Sequence, residues 1–410
     1  MSFILSKGGD FVYGECFLKI LKTALEGAQV NPDFALTDTE LREVLRLAEI
    51  HKVLPLIFDA AFTAIPQGDR DNIRAHVKLL VSRQTLTTER FLASYKALNS
   101  QGLYPIVVKG IICRNIYPKP DLRCSSDEDL LIESVQEKDY ICAMNKLGLV
   151  PLNDNNDTHY QSAYVSTSGL YIELHRSLFS DSSELFSKCN KSFEGAKSKS
   201  ISVLIGDTEV RTLSHTDHLL FLILHALKHF ISSGVGIRQV CDIALFANTF
   251  GNTVDWDYIY NKCSDLNALE FAAAILKIGS RYLTLDYTLA GIPKRWQELD
   301  PDEEPLLEDI LCAGIYGSSH RARQHSSGIT LDAATGKKNS LRNRLFPSAK
   351  SLSAQYSYVA KSPLLLPVAW SHRILRYSKE IDTKTNNTPL NSVKIGNKRL
   401  QLLKKYNIIP

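Results

Sequence analysis

The 410-residue chain carries 48 Lys and Arg against 44 Asp and Glu, a net charge of +4, and is 44% hydrophobic, enough for a globular protein of two or three domains. Its eight cysteines (Cys16, Cys113, Cys124, Cys142, Cys189, Cys241, Cys263 and Cys312) are scattered without a C-x-x-C pair, which argues against a compact structural zinc site and for reduced thiols. The longest apolar stretch, Leu219 to Ile231, is broken by His225, Lys228 and His229 and falls short of the roughly 20 residues that span a bilayer, so no stable membrane insertion is expected.

The opening MSFILSKGGDFVYGE lacks the apolar centre of a secretory signal, and a cytoplasmic protein is expected. From Thr37 the pattern Thr-Asp-Thr-Glu forms a capping box, and Leu41, Val44, Leu45, Ala48, Val53 and Leu54 predict an amphipathic helix over 37–62. A second helix is predicted from about Asn72 to Ser100, ended by Gly102. LYPIVV then reads as a short strand, Ile111 to Tyr117 as a helical turn or two, and DEDLLIE as another strand. Gln136 to Leu147, with Gly148 behind it, predicts a helix with a glycine stop, and HYQSAYV and LYIELH predict a hairpin around Ser166 to Gly169. Beyond Leu213, HTDHLLFLILHALKHFI, QVCDIALFANTF and LEFAAAILKI predict helices.

Residues 317–355, rich in Ser, Gly, Arg and Lys, read as a surface loop. From Lys337 onward fifteen Lys and Arg face only Glu380 and Asp382, a local charge of +13 that leaves −9 on the rest; solvated lysines are the default reading of such a run. PLLLPVAWSHRILRYSK within it has enough apolar and aromatic character to dock on a surface. The expected organisation is a helical segment over 1–100, an α/β core over 101–212, a helical domain over 213–316 and a basic, partly irregular region over 317–410.

Alternate side chains of a strand share a face, so Asp127 and Asp129 are expected to point one way while Leu130 and Ile132 turn to the other. Two adjacent carboxylates favour a cation between them, and an Asp-x-Asp strand suits Mg2+ with substrate phosphates. The next strand repeats the geometry, with Leu170, Ile172 and Leu174 on the core face and Tyr171, Glu173 and His175 opposite; Glu173 is the candidate third acid. His225 and His229 have the i, i+4 spacing of a metal pair without the H-E-x-x-H glutamate, and read as core or pocket lining; Arg238 and Asp242, also four apart, suit an intrahelical or interhelical ion pair and could equally face the cleft between domains, the structural role being the default.

The run YPIVVKGIICRNIYPKPDLRCSSDEDLLI resembles the signature of a bacterial nucleotidyltransferase family in the polymerase-β-like superfamily, and YIELHRSL, HLLFLILHALKHF and GIRQVCDIALF continue the resemblance over roughly 40–280. Ile111 follows the glycine where superfamily members usually carry Ser or Gly, and Glu173 stands where this family more often shows Asp. The resemblance implies an α+β fold, a small mixed sheet flanked by N-terminal helices and a C-terminal helical domain. It implies Asp127, Asp129 and Glu173 as catalytic metal ligands for Mg2+ or Mn2+, and Lys109, Gly110 and Arg123 beside the phosphates of an NTP, with Arg123 orienting Asp127. The implied reaction moves an NMP from the NTP to a small molecule, peptide or RNA and releases pyrophosphate. The alternative is a catalytically inactive binding or regulatory protein of the same fold.

Overall fold

A computed structural model of the chain describes residues 10–314 apart from 32, 153–159, 182 and 233, together with 330–334, 352, 356, 358–379 and 389–409. Helices open it: α1 (Asp10–Leu25), α2 (Asp38–Ile50), α3 (Leu54–Ala60) and the 33-residue α4 (Gln67–Asn99). The Thr37 capping box forms: the Thr37 N–H donates to Glu40 at 2.8 Å and the Glu40 N–H donates to the Thr37 hydroxyl at 3.3 Å. The helix predicted over 37–62 is two helices. Lys52 takes a positive φ of 57° and Pro55, at the start of α3, has no N–H to continue the ladder.

Seven strands then build one mixed sheet: β1 (Ile106–Val108), β2 (Glu128–Leu131), β3 (Leu149–Pro151), β4 (Gln161–Ser166), β5 (Tyr171–His175), β6 (Ile201–Ile205) and β7 (Thr208–Thr212), in the order β3-β4-β5-β2-β1-β7-β6. Helices α5 (Gly110–Asn115), α6 (Glu137–Lys146) and α7 (Glu184–Lys191) lie in its connections. β2 runs antiparallel to β1 and parallel to β5, and the latter register sets Asp129 opposite Glu173 and Leu131 opposite His175. β3, β6 and β7 were not anticipated from the sequence, although Gly206-Asp207 between ISVLI and TEVRT is a two-residue hairpin loop.

The chain continues with α8 (His215–Ile231), α9 (Ile237–Phe250), α10 (Trp256–Asp265), α11 (Leu269–Tyr282), α12 (Lys294–Glu298) and α13 (Glu304–Ala313). Ser214 caps α8 by accepting the Asp217 N–H at 3.2 Å. α8 is buried along nearly its whole length, which is why its sequence is apolar on all sides rather than along one stripe. Among the described residues no helix is long and apolar enough to cross a membrane. The 317–355 segment lies largely outside the described residues, 330–334 forming a helical turn.

The basic tail is not all solvated. In the helix at Pro389–Lys405, Arg399 is buried and donates to the Phe230 and Ser232 carbonyls and to the Thr330 hydroxyl, tying this helix to the end of α8. The apolar PLLLPVAWSHRILRYSK segment contains a helix at Leu366–Lys379, with Leu364 and Val368 exposed.

His51 joins three helices. Its Nδ1 accepts the Ile237 N–H at 3.2 Å, so its Nε2–H donates to the Leu311 carbonyl at 3.3 Å. Burial holds its pKa down to about 3, so the fold keeps it neutral while the unfolded chain takes up a proton below pH 6.5. The unfolded state therefore gains protons as pH falls, and stability drops by about 2 kcal/mol between pH 7 and pH 5 from this residue. Urea unfolding should show that loss, and His51→Gln, less stable at pH 7, should show a shallower slope; equal slopes for the two proteins would contradict the assignment.

Candidate active site

The site begins at the end of β1. Lys109 adopts a positive φ of 54° and Gly110 one of 35°, so the chain turns sharply from strand into α5. The turn is held from both sides. His218 of α8 accepts the Lys109 N–H on Nε2 at 3.2 Å, with its Nδ1 3.1 Å from the Thr212 hydroxyl. From below, the Glu128 carboxylate accepts the Ile111 N–H at 2.8 Å and pairs with Arg114 at 2.5 Å, both side chains being 1% exposed. A Cβ on Gly110 would lie 2.0 Å from Glu128 Oε2, so only glycine fits.

That turn delivers the Lys109 ammonium to Asp129 at 2.8 Å and to within 3.2 Å of His225 Nε2. On its other oxygen Asp129 accepts from His175 Nε2–H at 2.8 Å, and the same nitrogen lies 3.3 Å from Glu173. Nε2 between two carboxylates must carry the proton. Burial would raise the pKa of Asp129, but Lys109 and His175 outweigh it and hold the carboxyl well below its ordinary range. For His175 burial opposes protonation, yet the hydrogen bonds to Asp129 and Glu173 prevail and raise its pKa.

The cavity above these groups has a volume of about 260 Å³. The sheet contributes Asp129, Glu173 and His175, with Asp127 just before β2; α8 lays Phe221, His225, Lys228 and His229 across the top. Burial first, and Lys109 next, keeps His225 neutral, and burial lowers the pKa of Lys228 as well. Tyr160 is pushed up to about 12 by burial and then by Glu173 and Asp129, so it stays a hydroxyl donor.

Asp129 and Glu173 thus converge as the strand spacing predicted. Their ligand atoms and that of His175 lie within 4.8 Å of one another, while Asp127 lines the cavity outside that group. Arg123 does not orient Asp127. Its guanidinium pairs with Asp242 through bonds of 2.7 and 2.6 Å, Tyr117 donates to the same carboxylate at 2.7 Å, and Arg123 reaches the Gly110 carbonyl at 3.4 Å. Asp242 therefore does not form an intrahelical pair with Arg238; both residues instead line the cavity beside the turn, the other arrangement their spacing allowed. Tyr160, Lys228 and His218 escaped that reading; for Lys228 the signal was present, because Phe221, His225, Lys228 and His229 recur at helical spacing on one face of α8.

Residues 37–284 match the family described as an uncharacterised nucleotidyltransferase. No curated protein matches the chain. Among solved structures, the crystal structure of an antigenic nucleotidyltransferase-like protein from Paracoccidioides brasiliensis is similar over 50% of this chain and 95% of its own, with 12% identity and a TM-score of 0.31.

The Glu128 carboxylate is the sole ion-pair partner of buried Arg114 among the described residues. Glu128→Ala should therefore cost about 3–5 kcal/mol in urea unfolding, the penalty for stranding a buried charge. A loss below about 1 kcal/mol would show that the pair does not hold the turn.

Proposed function

Because the chain belongs to the uncharacterised nucleotidyltransferase family, we propose that it transfers a nucleoside monophosphate from an NTP to an acceptor hydroxyl or phosphate with the help of Mg2+ or Mn2+, releasing pyrophosphate. The observation that carries this reading is the convergence of Asp129, Glu173 and His175 in a cavity that Asp127 and Lys109 also line. Two carboxylates and an imidazole with ligand atoms within 4.8 Å fit a divalent cation, and carboxylate oxygens suit Mg2+ and Mn2+.

A bound ion of this kind supplies Lewis-acid stabilisation of the attacking and leaving oxygens. Asp129 and Glu173 would hold it, with Asp127 facing the same space. As the acceptor oxygen bonds to the α-phosphorus and the bond to the pyrophosphate oxygen breaks, Glu173 takes the acceptor's proton. Lys109 and Lys228 offset the phosphate charge, and the Tyr160 hydroxyl donates a hydrogen bond. Leu178 and Phe221 keep part of the wall dry, which strengthens these interactions. On this reading the sheet over 101–212 is the catalytic unit, and the helices of 213–316 close it.

A second reading, a nucleotide-binding protein without turnover, is favoured by one feature: both Asp129 oxygens are already engaged, by Lys109 and by His175. Calorimetric titration with the four NTPs, with and without Mg2+ or Mn2+, separates the two. Transfer predicts metal-dependent binding of at least one NTP, weakened at least about tenfold, or about 1.4 kcal/mol, by Asp129→Asn or Asp127→Asn. Binding that ignores both the metal and the substitutions supports the second reading.

A further inference from the structure

We propose that Arg238 is the anion-binding residue for the terminal phosphates of the nucleotide, in place of the glycine turn; the proposal rests on the nucleotide-binding reading above. Beyond the Gly110 N–H, the turn has little left to offer a phosphate. Its Lys109 N–H is taken by His218, its Ile111 N–H by Glu128, and the Ile112 and Cys113 N–H groups by the Lys109 carbonyl at 2.8 and 3.2 Å. The Cα face of Gly110, which a close-approaching phosphate would need, abuts a carboxylate. α5 beyond it is only six residues long.

Arg238, the second residue of α9, is in the opposite situation. It is 8% exposed, and its one hydrogen bond among the described residues runs from Nη1 to the Cys124 carbonyl. Its Nε is buried and has no partner, and no carboxylate of the described residues pairs with it, because Asp242 one turn along is engaged by Arg123 and Tyr117. A buried guanidinium without a counter-ion is unfavourable unless an anion completes it. The planar fork of arginine matches phosphate oxygens.

The space that Arg238 faces supports the assignment. It lines a cavity of about 30 Å³ whose walls include Lys109, Asp127, Asp129 and His225, all four shared with the 260 Å³ cavity over the acids. The annex is too narrow for a nucleobase and opens beside the group where the α-phosphorus would react. Of the acids around it, Asp242 is neutralised by Arg123 and Asp129 by Lys109, leaving Asp127. Ser125, also on its wall, is held by its N–H donating to Gln84 at 2.7 Å and by its hydroxyl accepting from Arg114 at 2.5 Å. A nucleotide would thus lie with its base in the larger space and its terminal phosphates at Arg238.

The test uses inorganic tripolyphosphate, which has the anion and no base, titrated by calorimetry into the full chain in metal-free buffer. The wild type should bind it, Arg238→Met should weaken binding roughly tenfold or more, as loss of charged hydrogen bonds predicts, and Arg238→Lys should keep part of the affinity. Circular dichroism checks that each variant is folded. Independently of any variant, tripolyphosphate should raise the Tm of the wild type. No binding by the wild type, no rise in Tm, or equal binding by folded Arg238→Met would overturn the proposal. Failure of the transfer reading looks different: tripolyphosphate still binds through Arg238 while NTP binding ignores both the metal and Asp129→Asn.

Discussion

The Glu128 carboxylate, buried between the Arg114 guanidinium and the Ile111 amide, sets the path of the chain out of β1. Because that carboxylate fills the space where a side chain at 110 would stand, the turn needs glycine there, and φ is positive at both Lys109 and Gly110. A non-glycine residue with positive φ is held there by its surroundings, and His218 provides the opposing hold from α8. With the backbone gripped from both faces, the Lys109 side chain is delivered to Asp129. The acid pair, its resident ammonium and the roof of the cavity thus depend on one buried ion pair on the far side of β2.

Both halves of the chain build the site. Strands β2 and β5 bring the carboxylates, since parallel register places Asp129 beside Glu173 and His175 one pleat further on. The end of β1 brings Lys109, and the helices bring further cations and the neutral imidazoles: Lys228, His225 and His229 on α8, Arg238 on α9. The Arg123–Asp242 pair, one partner from each half, lines the annex beside Arg238 and locks α9 against the turn through the Gly110 carbonyl. Removing either member would leave the other charge uncompensated.

Local signals in the sequence carried much of this. The Thr37 capping box, the Ser166–Gly169 hairpin and the alternation around Glu173 are each decided within a few residues, and each forms as read. The α+β class was implied by the family resemblance, and strand periodicity put Asp129 and Glu173 each on the face away from the apolar residues of its own strand; the parallel register that brings them together is a property of the sheet. What escaped was set by partners distant in the chain. Alternation puts Glu128 on the face of Leu130 and Ile132, but nothing near it in the strand names Arg114 and the Ile111 amide as the partners that satisfy it there. Arg123 has no sequence neighbour that names Asp242, 119 residues away, as its partner. Spacing allowed Asp242 to pair with Arg238 along the helix or both to face the cleft, and the bidentate bond from Arg123, outside the helix, decided between them. The split between α2 and α3 needed the backbone of Lys52, on which hydrophobic periodicity is silent.

The hairpin that carries Glu173 turns within Ser166 to Leu170, where the Ser166 N–H donates to the Leu170 carbonyl and the Gly169 N–H donates to the Ser166 carbonyl. Side chains alternate along a strand, so adding or removing one residue in this turn would exchange the sheet's two faces along β5 wherever the β4 pairing was kept. Ile172 or Leu174 would then stand in the cavity, and a carboxylate would enter the hydrophobic interior. The length of this short surface loop is therefore as strictly constrained as the identity of the acid it serves, and lineages of this chain should vary its residues while keeping their number.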